Sequence, residues 1–314
     1  MYTYHTSYCR PLDLYIETEG RRLTFSGLPG GRAFDHFMAR LVGTGRHEAA
    51  SATLSRNGDR CLRTGSLPDG MYTLEVLCNS GSQSDYRSFI QDRDAVVKIA
   101  DGAASFCDPA CLRDNISIIG RISQSPGTVR SLLRDEPSYP CGNSEIRRIA
   151  SVITAGLDEE YGKLLAIHDW VAENVFYDHD SLRREGGTMT AARRSTMDVL
   201  KTRRAVCQGY SDLAVSFMRA CGIPSVSLGC FALGQGTEGG WENPENRVNR
   251  PNHAFTAALM GNRYVLMDIT WDSDNAYSEG RYRHCTGLGK SRKYFDMSPA
   301  LFSASHRMIY EPGR

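Results

Sequence analysis

Short stretches in which apolar and polar residues alternate fill the first third of the chain. Residues 71–78 are the clearest example, since Tyr72, Leu74 and Val76 recur at every second position and so share one face of a strand. Turn residues such as Pro68-Asp69-Gly70 separate about seven or eight of these stretches between residues 10 and 105. The pattern predicts an all-β antiparallel sandwich over residues 1–105.

A polar stretch follows at residues 106–143. Four prolines between positions 109 and 140 interrupt it, and only residues 128–133 have a helical pattern. We therefore expect a linker here, with a second domain over residues 144–314.

The second domain opens with apolar residues at helical spacing. Ile146 and Ile149 predict a first helix with Ser144 as its N-cap. A longer helix is predicted from Asp158, where acidic residues occupy the first turn. His168 lies on the apolar face of this helix, so we interpret it as a core residue and not as a base.

Another helix is predicted to begin near Cys207. The apolar residues of positions 213–221 fall on one of its faces, and Gly222 and Pro224 end it. Cys207 lies at the start of the helix and outside the apolar face. Unpaired backbone N–H groups and the helix dipole favour a thiolate there, which makes this cysteine a candidate nucleophile. Taken alone, a cysteine at a helix start is more often structural.

Two strands are predicted further on, at residues 252–259 and 263–271. If Gly261-Asn262 forms a two-residue turn, the residue numbers of opposite partners sum to 523. Asp268 then lies on the same face as His253 and diagonal to it, close enough for a carboxylate to orient an imidazole. A three-residue turn would instead place Asp268 on the opposite face.

Composition excludes several classes of partner. The 314 residues are 41% apolar and 23% charged, with a formal charge of +1, which is ordinary for a globular protein and gives no reason to expect nucleic acid or an anionic membrane. No apolar run approaches the ~20 residues of a membrane span. The first residues lack the pattern of a signal peptide, so we expect a cytoplasmic location, or secretion if such a peptide has been removed.

The ten cysteines do not form a recognisable metal site. There is no pair of C-x-x-C motifs, and no loop resembles an EF-hand, so we predict no cofactor and no metal. Cys107 and Cys111 are close in sequence and could form a local disulfide or metal clip. We favour free thiols in a reducing compartment.

Cys207, His253 and Asp268 together have the order of a thiol triad, with a nucleophile, a base and a group that orients the base. Each residue alone has an ordinary structural interpretation. The backbone N–H of Cys207 is a candidate oxyanion donor; for a second donor, Tyr177, Trp241 and a loop amide stay open. Trp241 lies in the long polar loop 234–252, of the kind that often borders a site.

Several motifs in the second half of the chain resemble the transglutaminase-like superfamily, in particular its microbial transglutaminase and protease-like branch. The resemblance runs from residue 145 to about 310. The matching motifs are residues 163–178, Ala205-Val206-Cys207-Gln208-Gly209-Tyr210-Ser211, Gly222-Ile223-Pro224, Asn252-His253-Ala254-Phe255, residues 263–272, Lys293-Tyr294-Phe295 and His306. Earlier in the chain, Asp69-Gly70-Met71-Tyr72 resembles the tyrosine corner of immunoglobulin-like domains, so the sandwich is expected to be an immunoglobulin-like binding or spacer module.

The superfamily resemblance implies a papain-like α+β core in which the cysteine helix packs on an antiparallel sheet. It implies Cys207, His253 and Asp268 in the triad positions and a peptide or protein amide as substrate. The residues assigned to substrate binding are Tyr177, Gln208, Tyr210, Trp241, Phe255 and Trp271.

The resemblance leaves the outcome of the reaction open. Family members include cross-linking transglutaminases and proteases, and hydrolysis is slightly favoured here because no amine-binding groove can be identified. Phe255 and Thr256 replace the Trp and Asn that commonly follow the family's histidine. The alternative is therefore a binding or scaffold protein with an inactive core.

Overall fold

The structure, a computed structural model, divides into two compact units. It describes residues 2–4, 14–28, 36–43, 48–55, 60–79, 87–88, 96–107, 111–123, 126–185, 188–191, 194–234, 240–247, 250–261, 263–284, 292, 294–297 and 299–309. Unit 1 comprises Met1–Asn115, Ala232–Val248 and Met297–Arg307, and unit 2 comprises Ile116–Phe231, Asn249–Asp296 and Met308–Arg314.

The first part of the chain is rich in strands, and the second part contains both helices and strands. The first ten strands are β1 (Tyr2–Tyr4), β2 (Leu14–Thr18), β3 (Arg22–Ser26), β4 (His36–Gly43), β5 (Glu48–Leu54), β6 (Cys61–Arg63), β7 (Gly70–Asn79), β8 (Arg87–Ser88), β9 (Val96–Ala100) and β10 (Ala103–Phe106). The others are β11 (Phe176–Asp178), β12 (Leu182–Glu185), β13 (Thr188–Ala191), β14 (Arg204–Ala205), β15 (Ser225–Ala232), β16 (His253–Met260), β17 (Arg263–Met267), β18 (Asn275–Ser278), β19 (Arg281–His284) and β20 (His306–Met308). The helices are α1 (Leu112–Ser123), α2 (Pro126–Ser131), α3 (Ser144–Ile153), α4 (Glu160–Asn174), α5 (Thr196–Thr202), α6 (Cys207–Ala220), α7 (Ile269–Asp272) and α8 (Pro299–Ser305).

Unit 1 contains two antiparallel sheets. One has the strand order β1-β2-β3-β6, and the other has the order β10-β9-β7-β4-β5, with β8 paired to β7. Side chains of both sheets, such as Phe25 from the first and Phe37 from the second, belong to one buried apolar cluster. The predicted strand at residues 71–78 is confirmed within β7, and the Tyr72 hydroxyl donates a hydrogen bond of 2.7 Å to the carbonyl of Pro68.

The stretch interpreted as a linker is more regular than its sequence pattern indicates. It contains two helices, α1 and α2, where one helical run near residues 128–133 was expected. The four prolines favoured a prediction of turns. Pro126 nevertheless occupies the first position of α2, where an N–H group would have no partner within the helix, so its absence loses no hydrogen bond. Cys107 and Cys111 are not joined to each other by a disulfide, and the Cys111 thiol donates to the carbonyl of Ser303 at 3.0 Å.

The helices of unit 2 enclose one apolar core. Its buried residues include Leu164 and Val171 from α4 and Leu213 and Phe217 from α6. The N-cap of helix α3 lies one residue earlier than predicted. Asn143, not Ser144, is the N-cap, because the Asn143 side chain accepts the N–H groups of Glu145 and Ile146 at 2.9 and 3.4 Å.

The antiparallel sheet of unit 2 has the order β17-β16-β15. The predicted register is confirmed, since Met260 pairs with Arg263 and Thr256 pairs with Met267. The predicted length of the second strand is wrong. It ends at Met267, and the following residues form the single-turn helix α7 instead of continuing to Trp271.

A second, smaller sheet of unit 2 has the order β14-β11-β18-β19. Strand β11 lies in its interior and is parallel to both neighbours: Tyr177 pairs with Ala205 on β14 and with Ala276 on β18. This pairing fixes the segment that leads into α6. In the described part of the chain, no helix is long and apolar enough to cross a membrane.

Candidate active site

Cys207 is the first residue of α6. The helix begins abruptly because Val206 is extended, with φ −92° and ψ 179°, and no side chain caps the helix. The free N–H groups of the first turn are therefore available to stabilise negative charge near the cysteine. Every residue from Gly209 to Arg219 is buried, so the helix cannot shift without disturbing the core of unit 2.

His253 and Asp268 form a tight pair beside this helix. Nε2 of His253 lies 2.6 Å from Oδ2 of Asp268, and the Asp268 side chain is fully buried. The imidazole also forms a side-chain hydrogen bond with Cys207. Because Asp268 occupies Nε2, Nδ1 is the nitrogen left to face the Cys207 sulfur. The structure thus brings together all three residues that the sequence placed in a triad.

Asp268 reaches His253 from a position that the strand pattern could not predict. The ladder between β16 and β17 stops at Thr256 and Met267, so Asp268 is not a diagonal ladder neighbour. It is the N-cap of α7, and its Oδ1 accepts the backbone N–H of Trp271 at 3.1 Å. The cap holds one carboxylate oxygen while the other faces the imidazole, which fixes the orientation of the group.

The electrostatics favour a charged pair. Burial raises the pKa of the Cys207 thiol, but the positive charge of His253, its hydrogen bond and the N–H of Ala254 outweigh burial, and the pKa is lowered. Burial lowers the pKa of His253, but the charges of Asp268 and Cys207 raise it to about 10. A thiolate paired with an imidazolium is the form expected at neutral pH.

A second thiol lies close to the same residues. Cys230 on β15 is directly opposite His253 in the sheet and is fully buried. Burial, with the charges of Asp268 and Cys207, raises the pKa of Cys230 well above its usual value. The two thiols thus differ: burial favours the neutral thiol of Cys230, whereas the thiolate of Cys207 is favoured by its neighbours.

Tyr177 and Trp271, two of the residues assigned to substrate binding, lie close to these three residues. Burial, followed by the charges of Cys207 and Asp268, raises the pKa of Tyr177 to about 12, so its hydroxyl keeps its proton. The Trp271 ring lies 5.6 Å from the His253 ring, at an interplanar angle of 39°. Both side chains are partly exposed and so can reach a bound molecule.

Three residues assigned to substrate binding are used by the fold instead. Tyr210 is fully buried, and its hydroxyl donates to the carbonyl of Val175 at 2.7 Å, so it cannot contact a substrate. Phe255 is also fully buried within β16. The Gln208 amide donates to Asp212 at 2.7 Å and to Ser227 at 2.9 Å, which ties it to α6 and β15. The sequence motif could not reveal these roles because neighbouring residues of a helix or of a strand point in different directions.

Trp241, the remaining assigned residue, belongs to unit 1. It is buried there, and its Nε1–H donates to the carbonyls of Ser303 and Ala304 at 3.0 and 3.1 Å. These bonds give the indole a structural role within that unit.

Residues beside the site that the sequence did not assign to it are His168 and Asp272. His168 was correctly placed in the core, but its ring is bonded to Asp272, the last residue of α7, at 3.0 Å. The sequence signal for this contact is the Thr-Trp-Asp run after Asp268, which contains Asp272. When only its β-propensity is considered, the run is predicted as part of a strand.

Known proteins are similar to parts of this chain. Residues 147–269 match the model of the transglutaminase-like superfamily. Kyphoscoliosis peptidase of Mus musculus is 24% identical over 166 residues, and that of Homo sapiens is 25% identical over 202 residues. These matches cover 52% and 55% of this chain but 23% and 28% of the relatives, so the chain spans about a quarter of their length.

One solved structure similar to this chain is a candidate cysteine protease from Cytophaga hutchinsonii. It has 17% identity and a TM-score of 0.35, and the alignment covers 75% of this chain and 71% of that one. On the match to the family model, the core of unit 2 is transglutaminase-like, and residues 147–269 belong to the transglutaminase-like superfamily.

Proposed function

We propose that this chain is a thiol-dependent enzyme that acts on peptide or protein amides through a thioester intermediate. The observation that carries the proposal is the hydrogen-bonded series from Cys207 through His253 to Asp268, with the pKa of the thiol lowered and the pKa of the imidazole raised. A lowered thiol pKa beside a raised imidazole pKa is typical of an activated nucleophile and its base.

In the proposed reaction, the Cys207 thiolate attacks the carbonyl carbon of an amide. The C=O π electrons move to oxygen, and the imidazolium of His253 then donates its proton to the leaving amine as the C–N bond breaks. A thioester on Cys207 remains. His253 next removes a proton from water, which attacks the thioester and releases a carboxylate and the thiolate.

Asp268 stabilises the imidazolium and keeps its ring oriented. The backbone N–H of Cys207 is our first candidate donor to the oxyanion, and the Tyr177 hydroxyl is the second. A pKa of about 12 supports Tyr177 in this role, because the group remains a donor throughout the physiological range. Trp271 is proposed to contact the substrate beside His253.

Hydrolysis and transfer share the thioester and differ in whether water or an amine attacks it. We favour hydrolysis, and the name of the curated relatives, kyphoscoliosis peptidase, supports this choice.

For residues 1–105 we propose an immunoglobulin-like sandwich that serves as a binding module or as a spacer. The hydrogen bond from Tyr72 to the carbonyl of Pro68 supports it, since a tyrosine corner makes such a bond to the backbone a few residues upstream.

Alkylation with iodoacetamide tests the proposal. At pH 6 an ordinary thiol is almost entirely protonated, so we expect Cys207 to react at least about tenfold faster than the other cysteines. Peptide mass spectrometry after short reaction times gives the rate at each site. His253→Ala should remove the advantage, while His284→Ala, at an exposed histidine, should preserve it.

Equal rates at Cys207 and the other thiols, together with no effect of His253→Ala, would overturn the catalytic proposal. If the rates differ as expected, cleavage of a peptide library and incorporation of a fluorescent primary amine into a glutamine-bearing protein separate hydrolysis from transfer.

A further inference from the structure

His168 lies in the core of unit 2 with a carboxylate at each ring nitrogen. Nδ1 is 3.1 Å from Oδ1 of Asp169, and Nε2 is 3.0 Å from Oδ2 of Asp272. An ionised carboxylate only accepts, so with both aspartates ionised each ring nitrogen carries hydrogen and the ring is an imidazolium. Burial lowers the pKa of His168, but these two partners outweigh burial and raise it.

The charges around this ring alternate in sign. Asp169, on the outer side, is bound by Arg292, whose Nε lies 3.1 and 3.2 Å from the two carboxylate oxygens. Asp272, on the inner side, is 2% exposed, and the edge-on ring of Phe295 lies 5.0 Å from the imidazole. Two cations and two carboxylates therefore balance in a largely buried row, which accounts for a charged histidine in an apolar core.

Asp272 connects this row to the candidate active site through α7. The helix has only four residues and is held at both ends by the backbone of Tyr294. The Tyr294 N–H donates to both oxygens of Asp272 at 3.1 and 3.0 Å, and the N–H of Asp268 donates to the Tyr294 carbonyl at 2.9 Å. A single turn has little stability of its own, so these external bonds decide where it lies.

The same turn carries two groups that face His253. Asp268 begins it and contacts the imidazole at 2.6 Å, and Trp271 packs its ring 5.6 Å from the imidazole ring. A displacement of the turn would therefore move the carboxylate and the indole together.

We propose that His168 is a positioning residue for the reaction of Cys207: as an imidazolium it anchors Asp272, and through α7 it sets Asp268 against His253. The inference rests on the proposed function of Cys207. His168 is not a second base, since it is fully buried and both of its nitrogens are occupied.

The pH profile of Cys207 alkylation distinguishes positioning from mere stabilisation. In His168→Gln, a looser Asp268 should lower the pKa of His253 and raise that of Cys207. We expect the midpoint of the profile to move up by about one pH unit, which makes alkylation about tenfold slower on the acidic side and leaves the alkaline plateau unchanged. A purely structural role would lower the melting temperature without moving the midpoint.

Tyr161→Phe is the matched control. It removes a different hydrogen bond of α4, from the Tyr161 hydroxyl to Oδ2 of Asp296 at 3.0 Å, and should leave the midpoint in place. Asp272→Asn keeps the side-chain shape but removes the charge, and it should shift the midpoint in the same direction as His168→Gln. Because the two residues act as one pair, the double variant should shift it no further than the larger single change.

The outcomes separate the two proposals. If wild-type Cys207 has the profile of an ordinary thiol, the proposed function fails. If the wild-type midpoint is low but both His168→Gln and Asp272→Asn leave it unmoved, the positioning role alone is overturned. Where near-ultraviolet circular dichroism shows that His168→Gln is unfolded, Asp272→Asn decides the question.

Discussion

Oδ2 of Asp268 lies 2.6 Å from Nε2 of His253, while Oδ1 of the same carboxylate caps helix α7. One side chain thus combines an electrostatic role with a structural one. The two roles can be separated by substitution, because asparagine retains the ability to cap a helix but carries no charge.

Asp268→Asn should slow Cys207 alkylation at pH 6 by about tenfold or more, since the imidazolium loses its counter-charge. Asp268→Ala should slow it similarly and should also cost about 1 kcal/mol more of unfolding free energy because the cap is lost. Alkylation rates and urea denaturation measure the two effects. Equal stability of the two variants would show that the cap is not significant.

Gly209→Ala should destabilise the start of α6. An added Cβ would lie 2.6 Å from Cβ of Ala205 and 3.0 Å from Cγ2 of Val199, which forces a shift costing about 1–3 kcal/mol. Gly162→Ala in α4 is the control, because a Cβ there meets nothing within 4 Å and should stabilise the helix by about 0.5–1 kcal/mol. Urea denaturation gives both values, and equal signs would contradict the packing described here.

Tyr210→Phe should leave the reactivity of Cys207 unchanged. The hydroxyl donates to the carbonyl of Val175 in the core, so its removal should cost about 1 kcal/mol of unfolding free energy. Thermal unfolding and alkylation of the same samples test this. A large change in reactivity with unchanged stability would return Tyr210 to the substrate-binding set.

Tyr177→Phe should separate two reactions of the same thiol. Acylation by p-nitrophenyl acetate passes through an oxyanion, whereas alkylation by iodoacetamide does not. We therefore expect acylation to slow by about 10–100-fold while alkylation changes little. If both rates fall together, Tyr177 acts on the thiolate and not on the oxyanion.

The dependence of stability on pH should reveal the ion pair. Protonated His253, with a pKa raised to about 10, stabilises the fold fully below pH 6.5, and this contribution is lost as pH rises towards 10. The lowered pKa of Cys207 has the opposite effect, because its contribution is present above the ordinary thiol pKa of about 9 and is lost as pH falls.

In the wild-type protein the two contributions should largely cancel between pH 6.5 and 9. Cys207→Ser retains the bond between His253 and Asp268 but has no thiolate, so its unfolding free energy should fall as pH rises across this range. Urea midpoints at pH 6.5 and 8.5 check the difference. Parallel pH profiles of the two proteins would show that the ionisation of Cys207 is not coupled to that of His253.

The pairing of β16 with β17 shows what the sequence could and could not reveal. Alternation and the Gly261-Asn262 turn defined the register correctly, because a one-residue slip would turn every buried side chain to the other face. The end of β17 was missed because α7 has four residues, too few for a helical period to appear. The pairing of Asp268 with His253 was thus predicted for a ladder position that Asp268 does not occupy.

The roles of the side chains near Cys207 are harder to predict from the sequence. A motif places Gln208, Tyr210 and Phe255 close to the reacting residues in sequence, but only the fold decides which side chain points into the core. The buried charge row at His168 was equally hidden, since Arg292 lies 123 positions from its partner Asp169 in the sequence. Long-range electrostatic pairs of this kind leave no local pattern.

The parallel placement of β11 between β14 and β18 has a consequence for folding. The entrance to the Cys207 helix is fixed only when residues 176–178, 204–205 and 275–278 have met, and the two strand pairs are about 28 and 100 positions apart in sequence. Contacts so distant in the chain form late, after a large loop-closure cost. On the proposed function, we expect a growing polypeptide that has only just completed Cys207 to carry an ordinary thiol, because His253, whose charge and hydrogen bond lower the pKa of that thiol, has not yet been made.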